Sequence, residues 1–566
     1  YELRTPRIDT VELAQVFYPQ LEKYNLGILC QELGIPLEQA HSALSDAQAT
    51  AELFLCMRQK MFGLPKGLLE RLLSLSDSLL YESYLVIEEV YQKQSLLVEH
   101  DLVEVQGLFL RKEKPVLSPR KLSKDFQTNI ALLGLEERSQ QEEFAQKVQE
   151  FLQGEAISFI QAQTGIGKTY GYLLPALSLE NEGGILLSVP TKILQNQVIQ
   201  EEAKRLEEIF HISIHSLKGP QNYLKLDAFH TALEEEESNR LYTRFKMQLL
   251  VWLTETDTGD LDEIGQLYRY QQFLPNLVHD GNLHKDSLFW LEDFWKRGQD
   301  KARSCKLLVT NHAYLVTRLE DDPSLLEGRL LILDEAQKVL LTLENLSRKS
   351  YLLTDLLDQL DQALSREEGM LQRRLLESIR FEVSYLLDQF LSGKRKMCPA
   401  SSIDKLHQDF SELNLPEFKD YQRFFTSEGE FWLSTSDVSS KKVEITSSRN
   451  HRLLFSQIFP ESCQLLGISA TLEISSRVSL PELLGFPQTA FYCIDEQFQE
   501  NQEILLVNDF PLVTEISSEE YAQAIVEVLE ELFQLEEPIL VLFTAKDLLL
   551  RVSDVLNIPH LAQYKH

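Results

Sequence analysis

The sequence predicts an α/β chain organised around a doubly wound parallel sheet, and two observations carry that expectation. Short apolar runs at Ala156–Ile160, Ile185–Val189, Leu307–Val309, Leu330–Leu333, Leu465–Ile468 and Ile539–Phe543 alternate with polar loops and helical periodicity. That alternation is the pattern of parallel strands covered on both faces. In addition, the first run leads into a Gly-containing loop and the fourth ends on two adjacent carboxylates. Chemistry therefore gathers at the carboxyl ends of strands, where open sheets bind ligands.

Taken in order, residues 1–62 read as short helices at Thr10–Phe17, Leu26–Leu33 and Ala43–Met61, with apolar spacings of three and four. Residues 63–135 are mixed and connecting in character. They hold a helical stretch near Leu68–Gln94, a strand-like run Leu102–Leu110 and a Pro- and Lys-bearing linker Lys112–Lys124. Residues 136–339 form the first strand-and-helix domain, interrupted by a helical and acidic insertion at about 200–300. A second, largely helical insertion covers 340–460, and 461–566 returns to strands. A chain of 566 residues exceeds one compact core, so several domains are expected.

Composition narrows the class without naming the partner. The apolar and charged fractions, 43% and 25%, are ordinary for globular proteins. No apolar run is long enough to span a membrane, and no export segment stands at Tyr1. Six scattered cysteines with no CxxC pair indicate neither a disulfide framework nor a zinc ribbon and fit a reducing cytoplasm. A net charge of −32 opposes a polyanionic partner in bulk. Basic clusters at Arg111–Lys124 and Gly393–Lys396 leave room for a local positive groove or for solvated faces.

The strongest motif is Ala162-Gln-Thr-Gly-Ile-Gly-Lys-Thr169, placed between an apolar strand and a helix. That is the context a phosphate loop requires. Thr164, Gly165, Ile166 and Gly167 offer backbone N–H groups to phosphates, Lys168 reaches the β- and γ-phosphates, and Thr169 holds Mg²⁺ through its hydroxyl. The second motif, Leu330-Leu-Ile-Leu-Asp334-Glu335-Ala336-Gln337, delivers carboxylates to a strand end. Asp334 suits the Mg²⁺ shell, and Glu335 suits polarisation of the attacking water. Alone, such a pair is commonly just a charged helix start; beside a phosphate loop it reads as a Walker B element.

At these residues the chain resembles the DEAH-like helicases of the DinG and XPD family. The resemblance extends to Gln141, at the position of an adenine-reading Gln, and to Pro190-Thr191-Lys-Ile-Leu-Gln-Asn-Gln197, a segment that touches the nucleic-acid backbone. It extends further to Lys218-Gly-Pro-Gln-Asn-Tyr-Leu224, to Val309-Thr-Asn-His312, to Gly467-Ile-Ser469-Ala470-Thr471, which couples nucleotide state to the strand, and to Ile539–Thr544. It implies RecA-like motor domains, an arch-type helical insertion, ATP and Mg²⁺ as ligands, and 5′→3′ movement on single-stranded DNA, with RNA as the other candidate strand. Three departures are present. Gln337 replaces the usual His, and its amide can still donate and accept a link to the Ser469 segment without depending on protonation. Lys225 stands where the family's first iron–sulfur ligand is expected, and Cys305 is the one Cys in that interval, so no cluster is expected. No Q-x-x-G-R-x-x-R motif appears before His566, so the second motor domain is expected to be incomplete in this chain.

Residues 40–54, with His41 and Asp46 in an H-x-A-x-x-D pattern, resemble the third motif of DnaQ-like exonucleases, an RNase H-like fold. The resemblance implies His41 as general base and Asp46 as ligand to one of two divalent ions, Mg²⁺ or Mn²⁺. The bare pattern also fits an exposed His at a helix start. The family's other acidic motifs are expected upstream of Tyr1, so the chain holds the C-terminal part of that fold. The preferred reading is a monomeric, cytoplasmic ATP hydrolase and DNA helicase joined to a 3′→5′ exonuclease. The alternative is a single-strand exonuclease whose motor half is a nucleotide-responsive clamp. A P-loop kinase leaves the Thr191, Ser469 and Ile539 motifs without a role, and a non-catalytic scaffold leaves Lys168 and Glu335 unexplained.

Overall fold

The computed structural model describes residues 5–37, 42–95, 101–113, 118–179, 183–235, 238–282, 284–366, 369–393, 396–425, 430–435, 442–448, 454–475, 478–487, 489, 491–494, 510–512, 516–534 and 537–562. Two units emerge, residues 1–494 and 495–566. The first unit opens on three helices. α1 (Thr10–Phe17) starts where the Asp9 carboxylate accepts from Glu12 N, and α2 (Leu26–Leu33) where Asn25 accepts from Ile28 N. α3 (Ala43–Phe62) buries Ala49, Leu53, Met57 and Met61, one side chain per turn on a single face.

Among the described residues, seven strands build the central sheet: β1 (Ile157–Gln161), β2 (Ile185–Val189), β3 (Ile214–Ser216), β4 (Leu307–Asn311), β5 (Leu330–Leu333), β6 (Gln464–Ser469) and β7 (Phe491–Cys493). They lie in the order β7-β1-β6-β5-β2-β4-β3, every pairing parallel. β2, β4 and β5 are buried throughout, as expected of strands covered on both faces. The covering helices include α4 (Ser139–Gly154), α5 (Lys168–Ser178) and α6 (Lys192–Val198). α6 continues through a wider turn, Ile199–Ala203, into α7 (Lys204–Phe210). α8 (Arg240–Trp252), α9 (His312–Asp321) and α10 (Gln337–Ser347) follow.

The N-terminal helices are anchored on the insertion that follows β3. Glu12 of α1 pairs with Arg244 of α8 at 3.1 Å, and its other oxygen accepts from Leu80 N at 2.6 Å. Leu13, Phe17, Leu249 and Trp252 belong to one continuous apolar core. The second insertion has a separate core of Leu353, Leu360, Leu376, Ile379, Leu406 and Phe410. It is largely helical, as expected, but also contains a three-stranded antiparallel sheet. There Val443–Ser448 lies between Arg348–Leu352 and Glu430–Thr435.

Two sequence expectations need correction. Leu102–Leu110 is not one strand but a hairpin, Leu102–Val105 paired with Leu108–Arg111. Gln106 and Gly107 both take positive φ (50° and 74°), the signature of the tight turn that joins two twisted strands. In the second unit, Ile539–Phe543 is assigned to no strand among the described residues. Leu540 and Leu542 are exposed. That unit holds helices Ser518–Phe533 and Lys546–Val555, the first begun by a reciprocal Ser517–Glu520 cap.

Candidate nucleotide site

Strand order brings the motifs together. β1, β6 and β5 are adjacent, and the register aligns Gly467 with both Phe159 and Leu333. The phosphate loop, Ser469–Thr471 and Asp334–Glu335 therefore leave the sheet at three neighbouring carboxyl ends. Ala162 N donates to Ser469 O, and Ala336 N donates to Ile468 O, fastening the three loops to one another.

Within the phosphate loop Gly165 and Gly167 take φ of 90° and 84°, a region that disfavours any side chain. A Cβ on Gly167 would lie 2.2 Å from Gln141 Nε2. That amide of α4 is buried and donates to Gly167 O at 2.7 Å, so Gln141 braces the loop from beneath. Lys168 opens α5, and its ammonium pairs with the Glu335 carboxylate. Glu335 itself has φ of 48°, an uncommon conformation for a non-glycine residue and one that turns up at active sites. Its other oxygen accepts from Gln337 Nε2 at 2.7 Å, and Gln337 Oε1 accepts from Ser469 Oγ at 2.7 Å. Thr471 N donates back to Ser469 Oγ at 3.1 Å. A continuous chain of contacts thus runs from Lys168 through Glu335 and Gln337 to Ser469.

Electrostatics separate the two carboxylates. Burial raises the Asp334 carboxyl to about 6, against the opposing pull of Lys168. Glu335 is partly desolvated too, but Lys168 and Gln337 outweigh that effect and hold it below the usual carboxylate range. Tyr172 of α5, fully buried, donates to Asp334 Oδ2 at 3.3 Å. His312, also fully buried, shares a hydrogen bond with Ser188 Oγ at 2.8 Å and is pushed down to about 4 by burial, so it stays neutral. The sequence reading quoted His312 only as the end of the Val309-Thr-Asn-His312 segment and gave it no role; Tyr172, a single aromatic in an apolar stretch, gave no signal of its own.

The residues expected at the nucleic-acid side are elsewhere on the same rim. Thr191 caps α6 and is exposed beyond β2. Lys192 donates to Asn222 Oδ1 at 2.8 Å. Behind them Gln195 is wholly buried, donating to Ser216 Oγ, Leu217 O and Val309 O while accepting from Asn311 Nδ2. Lys218 is likewise buried, paired with Asp260 at 2.5 Å and Asp262 at 2.9 Å. These networks fix the resembling segments to β3 and β4.

The oxygen donors Thr169 and Asp334 fit a magnesium ion, which binds through one or two protein oxygens, substrate phosphates and water. Among the described residues no group of three His, Cys, Asp or Glu side chains is placed to hold a metal by itself. Asp46 stands in the first turn of α3, its N–H donating to Ser42 O, with no such group around it. His41 lies outside the described residues.

A parallel doubly wound sheet with a braced phosphate loop, a paired Lys and Glu, and a linked Ser-Ala-Thr strand end is the arrangement of a phosphate-loop nucleotide-binding domain. The DEAD/DEAH box helicase family matches residues 139–252, and an exonuclease family matches residues 1–54. A "3'-5' exonuclease DinG" of Staphylococcus saprophyticus is 31% identical over 351 residues, 59% of this chain and 38% of the relative. Its namesake in Staphylococcus aureus is 30% identical over 326 residues, 55% of this chain and 35% of the relative. The chain thus spans little more than a third of the length of these curated relatives. A solved XPD helicase aligns over 75% of each chain with a TM-score of 0.43 and 14% identity. Residues 139–252 thus match the DEAD/DEAH box helicases, residues 1–54 match an exonuclease family, and the chain is similar to the DinG exonucleases over part of their length.

Proposed function

We propose that this chain is the ATP-hydrolysing part of a motor that moves 5′→3′ on single-stranded DNA, coupled to a 3′→5′ exonuclease module. The observation that carries this reading is the unbroken connection Lys168–Glu335–Gln337–Ser469 across three adjacent strand ends. A kinase or a scaffold has no use for a link from the hydrolytic carboxylate to a neighbouring loop. A motor needs one, because phosphate chemistry must be felt where the strand is held.

In this reading the loop N–H groups from Thr164 to Thr169 cradle the phosphates, and Lys168 leaves Glu335 to meet the γ-phosphate. A magnesium ion, held by Thr169 and Asp334, would supply charge neutralisation at the phosphate oxygens. Glu335, released from Lys168 but still bonded to Gln337, orients the attacking water and takes its proton. The new bond forms between water oxygen and γ-phosphorus, and the bond to the β–γ bridging oxygen breaks, releasing ADP. Thr191, exposed at the start of α6, meets the strand, and Ser469 and Thr471 couple nucleotide state to it.

The exonuclease half rests on Asp46, on His41 and on the family match at residues 1–54, and it would use Mg²⁺ or Mn²⁺. No iron–sulfur cluster belongs to this reading: Lys225 is tied to Asp280 at 3.0 Å and Cys305 is buried. The protein works as a cytoplasmic monomer. The test is steady-state ATP hydrolysis by the protein with no oligonucleotide, with single-stranded DNA, and with RNA of the same sequence. Stimulation by DNA is expected; equal rates in all three would overturn the motor assignment, and stimulation by RNA alone would reassign the strand.

A further inference from the structure

The helix that begins after Thr191 is not regular. Between α6 and α7 the turn Ile199–Ala203 widens to the i→i+5 form, an irregularity rare in helices and frequent at functional sites. Glu202 lies in this turn. Its carboxylate sits against the Thr169 hydroxyl and within the field of Asp334, and it also acts on the fully buried Tyr172. Glu202 Oε2 is buried without a hydrogen-bond partner. The nearby donors are already engaged: the Tyr172 hydroxyl on Asp334, and Arg205 on Tyr170. Glu201, one residue earlier, is exposed.

A buried carboxylate oxygen with no donor requires an explanation, and the phosphate loop supplies one. Magnesium keeps several waters when it binds phosphates, and the oxygens that accept from those waters set its position. We propose that Glu202 is a positioning residue for the magnesium ion of the bound nucleotide. Its carboxylate accepts from the Thr169 hydroxyl, which turns a Thr169 lone pair toward the ion, and Oε2 accepts from a water in the ion's shell. The widened turn is the device that swings this side chain onto the loop. The inference rests on the reading of Thr169 and Asp334 as the residues that hold magnesium.

The experiment is equilibrium binding of a fluorescent ADP analogue to wild type, Glu202→Gln and Glu201→Gln, at a series of free Mg²⁺ concentrations and in chelator. Glu202→Gln should match wild type in chelator but need on the order of tenfold more free Mg²⁺ for half-maximal tightening, the usual cost of an outer ligand. In turnover the same variant should show a raised KM for Mg²⁺, with kcat at saturating Mg²⁺ within a few-fold of wild type. Glu201→Gln, the same charge change on an exposed side chain, should follow wild type in both. An unshifted Mg²⁺ requirement in Glu202→Gln, or an equal shift in Glu201→Gln, would overturn the proposal. A wild type whose nucleotide binding ignores Mg²⁺ would instead overturn the reading of the site on which it rests.

Discussion

Replacing Gln337 by Ala removes the middle member of the chain that joins the Glu335 carboxylate to the Ser469 loop. Two hydrogen bonds are lost, each 2.7 Å long: one to the ionised Glu335 and one from the neutral Ser469 hydroxyl. A bond to a charged group contributes about 1.5–3 kcal/mol and a neutral one about 0.5–1.5 kcal/mol. If the first orients Glu335 in the transition state, Gln337→Ala should lower kcat by roughly 10- to 150-fold, at about 1.4 kcal/mol per factor of ten. Ser469→Ala leaves the Glu335 contact in place and should lower kcat by only about 2- to 13-fold. The decisive measurement is the double variant. Because Ser469 acts on Glu335 through Gln337, the pair together should be no slower than Gln337→Ala alone, a coupling of about 1 kcal/mol in a double-mutant cycle. Single-stranded DNA should also lose most of its stimulating effect in all three. Independent, multiplicative losses in the double variant would refute the chain of contacts as a working link.

Lys168→Ala should abolish ATP turnover while shifting the unfolding midpoint little, since its ion pair with Glu335 is only partly enclosed; wild-type hydrolysis by a folded variant would sink the phosphate-loop assignment. Gly167→Ala forces a left-handed residue, costing about 1–2 kcal/mol, and drives its Cβ to 2.2 Å from Gln141 Nε2. Nucleotide affinity should fall about tenfold or more, with partial recovery in Gly167→Ala combined with Gln141→Ala; equal affinity in calorimetry would contradict the bracing role. His312 and His215 are pushed down to about 4 by burial, from an ordinary 6.5. Being bases with lowered folded values, they contribute stability that is full above 6.5 and is lost as pH falls toward 4, by about 3 kcal/mol each at most. Urea midpoints should fall across that window and fall less in His312→Gln; parallel pH profiles would count against it. Elemental analysis of purified protein should find no stoichiometric iron, and finding it would reopen the interval around Lys225 and Cys305.

The central strands were legible because burial on both faces writes an apolar run into the sequence, and β1, β2, β4, β5 and β6 fall within a residue or two of those runs. β3 and β7 were not read, being three-residue edge strands that are only partly buried. At Ile539–Phe543 the apolar run is present, but no ladder is found there among the described residues. The phosphate loop and the Asp334–Glu335 pair were readable because each has fixed spacing next to a strand. The Gln337–Ser469 contact could be anticipated only as a capacity of the amide, since it joins residues far apart in sequence. Glu202 was invisible: a widened turn breaks the helical period without leaving a residue signature, and Thr169, far from it in sequence, comes close only in the folded chain.

The sheet order also governs how this chain must be made. β6 sits between β1 and β5, yet it is encoded after the whole second insertion. On the ribosome, both of its neighbours emerge with open edges and wait for synthesis to pass Ser469, on the order of ten seconds at ordinary elongation rates. The insertion can fold during that wait because its core is self-contained, bringing Arg348 and Ser448 together as paired ends of one small sheet. That closure shortens the loop through which β6 must return. Substitutions that unsettle Leu360 or Phe410 should therefore reduce the yield of folded central-sheet domain during synthesis, a loss that pulse proteolysis of nascent chains would register even though those side chains lie outside the nucleotide site.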